Sequence, residues 1–160
     1  MPKIDVHSVP VEAICNYPDP FWKPLEGRTR QRLGNAVGLT QFGVNLTTLK
    51  PGAWSSQRHW HRKEDEFVYV VSGELVLCED DGEIVLKAGD CAGFKADNGN
   101  GHCLINRTQR DAVYIEIGTR SPDEHTTYSD IDMQVKRDAS GAFVYSRKSD
   151  GAPYPKRSVG

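Results

Sequence analysis

The stretch RHWHRKEDEF, Arg58 to Phe67, sets two histidines one residue apart and brings an acid, Glu66, up against the apolar run FVYVV. Imidazole and carboxylate together suit borderline divalent metals, yet an H-x-H in a charged stretch is equally compatible with a solvated turn. Backbone geometry limits the choice. In a helix, residues two apart point about 200° away from each other, so His59 and His61 can share an ion only from a strand. There, side chains two apart lie on one face at about 6.6 Å, a gap that two imidazoles leaning inward can close. Trp60 then points the other way.

The segment Arg62 to Asp65 is charged and lacks alternation, so it reads as the crossing to the next strand. Glu66 opens that strand, sharing a face with Val68 and Val70, while Phe67, Tyr69 and Val71 take the other. A carboxylate beside two valines is costly unless it is paired or bound to a metal. Glu66 is therefore the expected acid, as ligand or catalytic base, and Glu64, able to stay in water, is the weaker candidate. Of the remaining histidines, His7 lies in a Pro-rich arm and His125 in the polar run SPDEHTT, where solvation is ordinary. His102 opens HCLIN, a short strand whose alternation puts His102, Leu104 and Asn106 on one face. It is taken as the third imidazole.

The elements that must position these residues are strands. Phe42, Val44 and Leu46 alternate with Gln41, Gly43, Asn45 and Thr47, the pattern of a half-buried strand. EFVYVV, LVLC and EIVLKAGD follow, separated by SGE at 72–74 and by Asp81-Gly82, a pair suited to a tight hairpin. Further strands are expected at Cys91–Phe94, His102–Asn106 and Ala112–Ile117, and no segment holds a helical period for three turns. Many short strands with Gly-rich turns indicate an all-β sandwich or barrel. Before it, residues 1–27 form an extended arm broken by Pro2, Pro10, Pro18, Pro20 and Pro24. The core spans 28–120, and a tail over 121–160, with turns at ASGA and SDGA, packs on it. Arg28, Arg30 and Arg32 alternate along one strand face, either as a solvated edge or as an anion contact.

At 160 residues the chain has room for one domain with a core. A formal charge of −2 argues against nucleic acid as a partner and leaves small molecules open. No apolar run reaches the roughly 18 residues of a membrane span, and the N-terminus lacks a signal-peptide h-region, so a cytoplasmic location is expected. Cys15, Cys78, Cys91 and Cys103 have no C-x-x-C spacing and read as small hydrophobes in a reducing compartment.

The order of these residues resembles the cupin superfamily, whose two motifs bind one metal inside a small jelly-roll β-barrel. Gly52, six residues, His59-Trp60-His61, four residues, Glu66, six residues and Gly73 follow the first motif with one gap off by one. In the second motif Gly89 is in place, but Lys95 stands where Pro is expected and Asp97 where Gly is. His102 comes two positions late and Asn106 is correctly spaced after it. Gly99 and Gly101, in NGNGH, are available to make the turn instead.

The resemblance is to stand-alone bacterial cupins, some of them linked to sugar-phosphate isomerisation, and it implies one divalent metal on His59, His61, Glu66 and His102. Mn, Fe, Ni, Co and Zn all suit that set, and octahedral coordination would leave two positions open. The expected function is isomerase or lyase-type chemistry on a small oxygenated, sugar-like or sugar-phosphate-like compound. The alternatives are an Fe(II) dioxygenase, a non-catalytic small-molecule binding module, and a purely structural metal. Gln57, Arg58 and Asn106 are the candidates to line a substrate pocket. The family also implies a homodimer, with Tyr69 and Trp60 packing between sheets or at the dimer contact.

Overall fold

The computed structural model describes residues 3–157; Pro2 and the last three residues of the expected tail lie outside them. Twelve strands run in chain order: β1 (Arg28–Gln31), β2 (Phe42–Leu49), β3 (His59–His61), β4 (Glu66–Ser72), β5 (Glu74–Glu79), β6 (Gly82–Lys87), β7 (Cys91–Phe94), β8 (Cys103–Ile105), β9 (Ala112–Thr119), β10 (His125–Tyr128), β11 (Gln134–Arg137) and β12 (Phe143–Ser146). A one-turn helix, α1 (Leu33–Ala36), links the first two.

One layer is the five-stranded sheet β1-β2-β9-β4-β7, and facing it are a four-stranded sheet, β12-β11-β10-β3, and a three-stranded sheet, β6-β5-β8. The last two are stitched together at one point, where His59 and His102 pair antiparallel and exchange both backbone N–H···O bonds, at 3.1 and 2.9 Å. The pairing is all antiparallel, as in a jelly-roll sandwich. Its core is Leu49, Val70, Leu75, Leu104, Ala112 and Tyr114 with their neighbours, all near-fully buried. Burying such side chains stabilises the fold by about 1.5–3 kcal/mol each.

Two expectations need correction. Along β2 the inward residues are Asn45, Thr47 and Leu49, which pair with Glu116, Tyr114 and Ala112 of β9, so Phe42, Val44 and Leu46 face outward. The alternation was real, but inward polar side chains, Asn45 bonded to Glu116 and a fully buried Thr47, invert its meaning. The run around His125, read as polar loop, is strand β10, placing Thr126 opposite His61 and Tyr128 opposite His59. The N-terminal segment folds back on its own barrel. Glu12 bridges to Arg30, the Gln31 amide donates to the carbonyls of Val6 and Val9, and Tyr17 and Leu25 join a second core with Tyr128, Met133 and Val135.

Candidate metal centre

His59 and His61 are adjacent same-face positions of β3, Glu66 opens β4, and His102 sits directly across from His59 just before β8. Three ring nitrogens thereby converge on one carboxylate oxygen: Glu66 Oε2 lies 2.8 Å from His102 Nε2, 3.3 Å from His61 Nε2 and 3.8 Å from His59 Nε2. The Nε2 atoms of His59 and His61 are 3.1 Å apart. Two donors about 2.1 Å from one ion and at right angles to each other would be about 3.0 Å apart, so this spacing suits neighbouring ligands of a single ion. The ligand atoms of His59, His61 and Glu66 all lie within 4.8 Å of one another.

The rear of each first-motif ring is also held. His59 Nδ1 lies 2.9 Å from the carbonyl oxygen of Gln57, which can only accept, so Nδ1 carries the proton and Nε2 keeps its lone pair for the cavity. His61 Nδ1 lies 3.4 Å from a carboxylate oxygen of Glu124 and 3.3 Å from Thr126 Oγ1. Glu124 is itself fixed by the backbone N–H groups of Arg62 and Lys63, both at 2.9 Å. His102 differs. Its ring stacks on Phe94, with centroids 3.6 Å apart and planes within 2°, and its buried Nδ1 has no protein partner.

The charges follow this arrangement. Burial, with help from His61 and His102, pushes the His59 imidazole down to about 3, so it stays neutral and ligand-ready. Burial would lower His61 too, but Glu66 and Glu124 outweigh it and lift the imidazole to about 10. Burial likewise works against the Glu66 charge, yet His61 and His102 hold the carboxyl well below its usual range. A permanently ionised carboxylate among imidazoles favours positive charge at its oxygens, which fits a cation.

Glu64 is not left in water as expected: one oxygen accepts from the Ser121 N–H and the other lies 3.9 Å from His61 Nδ1, so it stands with Glu124 behind His61 instead of beside Glu66. The second-motif loop also keeps its turn despite the substitutions. Asp97, where the motif has Gly, takes a positive φ of 61°, and its N–H donates to the His61 carbonyl at 2.8 Å. Asp is among the few residues that tolerate this left-handed conformation.

The group opens onto a cavity of about 260 Å³ lined by Val68, Phe94, Leu104, Tyr114, Glu116 and Tyr128, with Arg28, Arg30 and Arg32 on the β1 side. That volume suits a small molecule. None of the three side chains expected to line a substrate pocket reaches it. The Gln57 amide donates to the Phe21 carbonyl, Arg58 is clasped by Asp80 and Asp130, and the Asn106 amide ties the Leu49 and Arg110 carbonyls together. Strand parity put them near the site but not what they bind. Residues not anticipated for the site are Glu124 behind His61, Glu116, and Ile14 to Tyr17 from the N-terminal segment. Glu116 carried a legible signal, since it shares parity with Ala112 and Tyr114 as Glu66 does with its valines.

Comparison with known proteins agrees with this architecture. The Cupin domain family model matches residues 45–118. The crystal structure of a sugar phosphate isomerase from a cupin superfamily of Silicibacter pomeroyi superposes with a TM-score of 0.90, is 48% identical, and covers 94% of this chain and 95% of that one. The chain belongs to the cupin superfamily. A second structure, of a proposed sugar phosphate isomerase from Acidithiobacillus ferrooxidans, is 29% identical with a TM-score of 0.71, over 77% of this chain and 78% of that one. A polyketide cyclase from Streptomyces resistomycificus, at 16% identity and a TM-score of 0.62 over 74% and 79% of the two chains, shares the cupin fold alone. No curated protein matches the sequence. Cupins commonly bind a divalent metal, and in this cupin His59, His61 and Glu66 form a group that could hold one.

Proposed function

We propose that this cupin binds one divalent transition ion through His59, His61, Glu66 and His102, and uses it in isomerase or lyase-type chemistry on a small oxygenated, sugar-like compound. The observation that carries this reading is the convergence of three Nε2 atoms on Glu66 Oε2 at the floor of a small-molecule cavity. The likeness to two proteins described as sugar phosphate isomerases supports the substrate class. Bound there, the ion would supply Lewis-acid polarisation of a substrate oxygen.

The chain's own residues do the rest. His59 presents its Nε2 lone pair because Nδ1 is engaged behind it, whereas His61, held at Nδ1 by Glu124, would release its Nε2 proton to bind the ion. Tyr114, Val68, Phe94 and Leu104 exclude bulk water from the wall. Glu66, closely set among imidazoles, serves as a ligand first, and as a proton acceptor only if substrate displaces it. The homodimer has a candidate surface in the outward apolar face of β2, β9 and β4, where Phe67, Tyr69 and Val71 are 40–45% exposed. Sedimentation of the parent and of Tyr69→Glu tests that contact. No helix among the described residues is long and apolar enough to cross a membrane. Four free thiols accord with a reducing compartment such as the cytoplasm.

The test is metal content of protein purified without added ions, followed by interconversion assays on aldose and ketose phosphates with oxygen uptake monitored on the same samples. Turnover with a redox-inert ion and no oxygen consumption is the expected result. Oxygen consumed in proportion to product would replace isomerisation with dioxygenase chemistry, and full metal occupancy after loss of both His59 and His61 would sink the centre itself.

A further inference from the structure

Three arginines of β1 and its end, Arg28, Arg30 and Arg32, line the same cavity as the candidate metal centre. Two of them are neutralised. Arg30 donates to Glu116 at 3.1 Å, and Glu116 is further held by the Asn45 amide at 3.0 Å. Arg32 pairs with Glu12 at 2.8 Å. Arg28 has no carboxylate within ion-pair distance among the described residues; its partners are the carbonyl oxygens of Ser55 and Ile14.

Carbonyl oxygens aim a guanidinium without cancelling its charge. Of its five N–H groups two are so used, which leaves part of the planar fork to meet a ligand. The half-buried setting makes an uncompensated cation costly, and burial together with Arg30 pulls the Arg28 pKa down. The cavity wall holds three arginines against Glu66 and Glu116, and a divalent ion would add two more positive charges. Arg58, also half-buried, has by contrast two acids of its own.

We propose that Arg28 is the binding residue for an oxyanion, a phosphate or carboxylate group, on the small molecule that occupies this cavity. This rests on the cavity being the ligand site assigned above, and it narrows the ligand to an anion whose charged end lies toward β1. The wall formed by Ile14 to Tyr17 then closes over that end, and the Arg28 bond to the Ile14 carbonyl couples anion binding to the seating of the N-terminal segment.

The test titrates the metal-loaded protein and the chelator-treated protein with inorganic phosphate, malonate and neutral erythritol, reading thermal shift and the ¹⁵N NMR signal of the Arg28 Nε–H. Phosphate or malonate should move the Arg28 signal and raise Tm, erythritol should do neither, and the stronger of the two anions identifies the group. The exposed Arg107, already paired with Glu83, is the internal control. Arg28→Gln should weaken anion binding by roughly tenfold or more, with Arg28→Lys intermediate. Anion binding that persists in the chelator-treated protein supports this assignment even where the metal reading fails. An Arg28 signal unmoved at saturating phosphate and malonate overturns it, as does parental anion affinity in a folded Arg28→Gln. Turnover of an uncharged sugar with kcat/KM unchanged in Arg28→Gln would also overturn it, while leaving the metal chemistry intact.

Discussion

The two histidine-bearing segments reach the same carboxylate by different means. On β3, the rings of His59 and His61 are steered from behind by hydrogen-bond acceptors, Gln57 O for one and Glu124 for the other. In the second segment, His102 is steered by the face of Phe94 and by its backbone pairing with His59, and its Nδ1 meets no protein partner. Hydrogen bonds fix a tautomer as well as an orientation, whereas stacking fixes only the plane of the ring. The first pair should therefore carry the greater share of metal affinity, with His102 trimming it.

That contrast is open to direct attack. The largest expected effect is for His59→Ala combined with His61→Ala, which should abolish metal retention, on the order of a thousandfold or more in Kd by calorimetry. His102→Ala should cost clearly less, and a loss equal to that of the double variant would break the comparison. Next, Glu124→Gln should weaken metal binding by roughly 10–100-fold while leaving the fold intact, because it removes the carboxylate behind His61. Glu64→Gln, whose nearer role is capping the Ser121 N–H, should change Kd little.

A smaller effect sharpens the second half of the comparison. Phe94→Leu takes away the stacked face beneath His102 and should lower stability by about 1 kcal/mol in denaturant melts, with metal affinity reduced only a few fold. The smallest concerns the loop before it. Asp97→Gly relieves a positive φ and should leave stability unchanged or raise it by up to about 1 kcal/mol, whereas Asp97→Val should destabilise.

What could be read in the sequence divides along the same physical line. Strand periodicity and turn residues located β2 and β4 to β9 closely, and parity alone chose Glu66 over Glu64, because a face is a local property of the chain. Partners distant in sequence were out of reach. Nothing local says that Glu124 stands behind His61, that Gln57 turns to Phe21, or that Arg58 is claimed by Asp80 and Asp130. The inversion of β2 has the same cause, since its inward polar residues make sense only beside Glu116 and Tyr114 of a strand some 70 residues away. The Pro-rich arm was expected to run extended, yet it winds into single 3-10 turns at Val6–Ser8 and Lys23–Leu25, and its destination, across its own cavity, was set by the apolar cluster it joins with Tyr128 and Met133.

That destination separates two design problems within one small domain. The candidate ligands His59, His61 and Glu66 sit on laddered strands, where a shift of one residue would turn each to the wrong face. The wall formed by Ile14 to Tyr17 is outside every strand and is fastened by the Glu12–Arg30 bridge, the Arg28 bond and aromatic packing. Changes in its length or side chains can reshape the cavity's enclosure while the histidine–carboxylate group stays as it is. An engineer seeking to reshape the cavity should therefore begin with those four residues before touching the barrel.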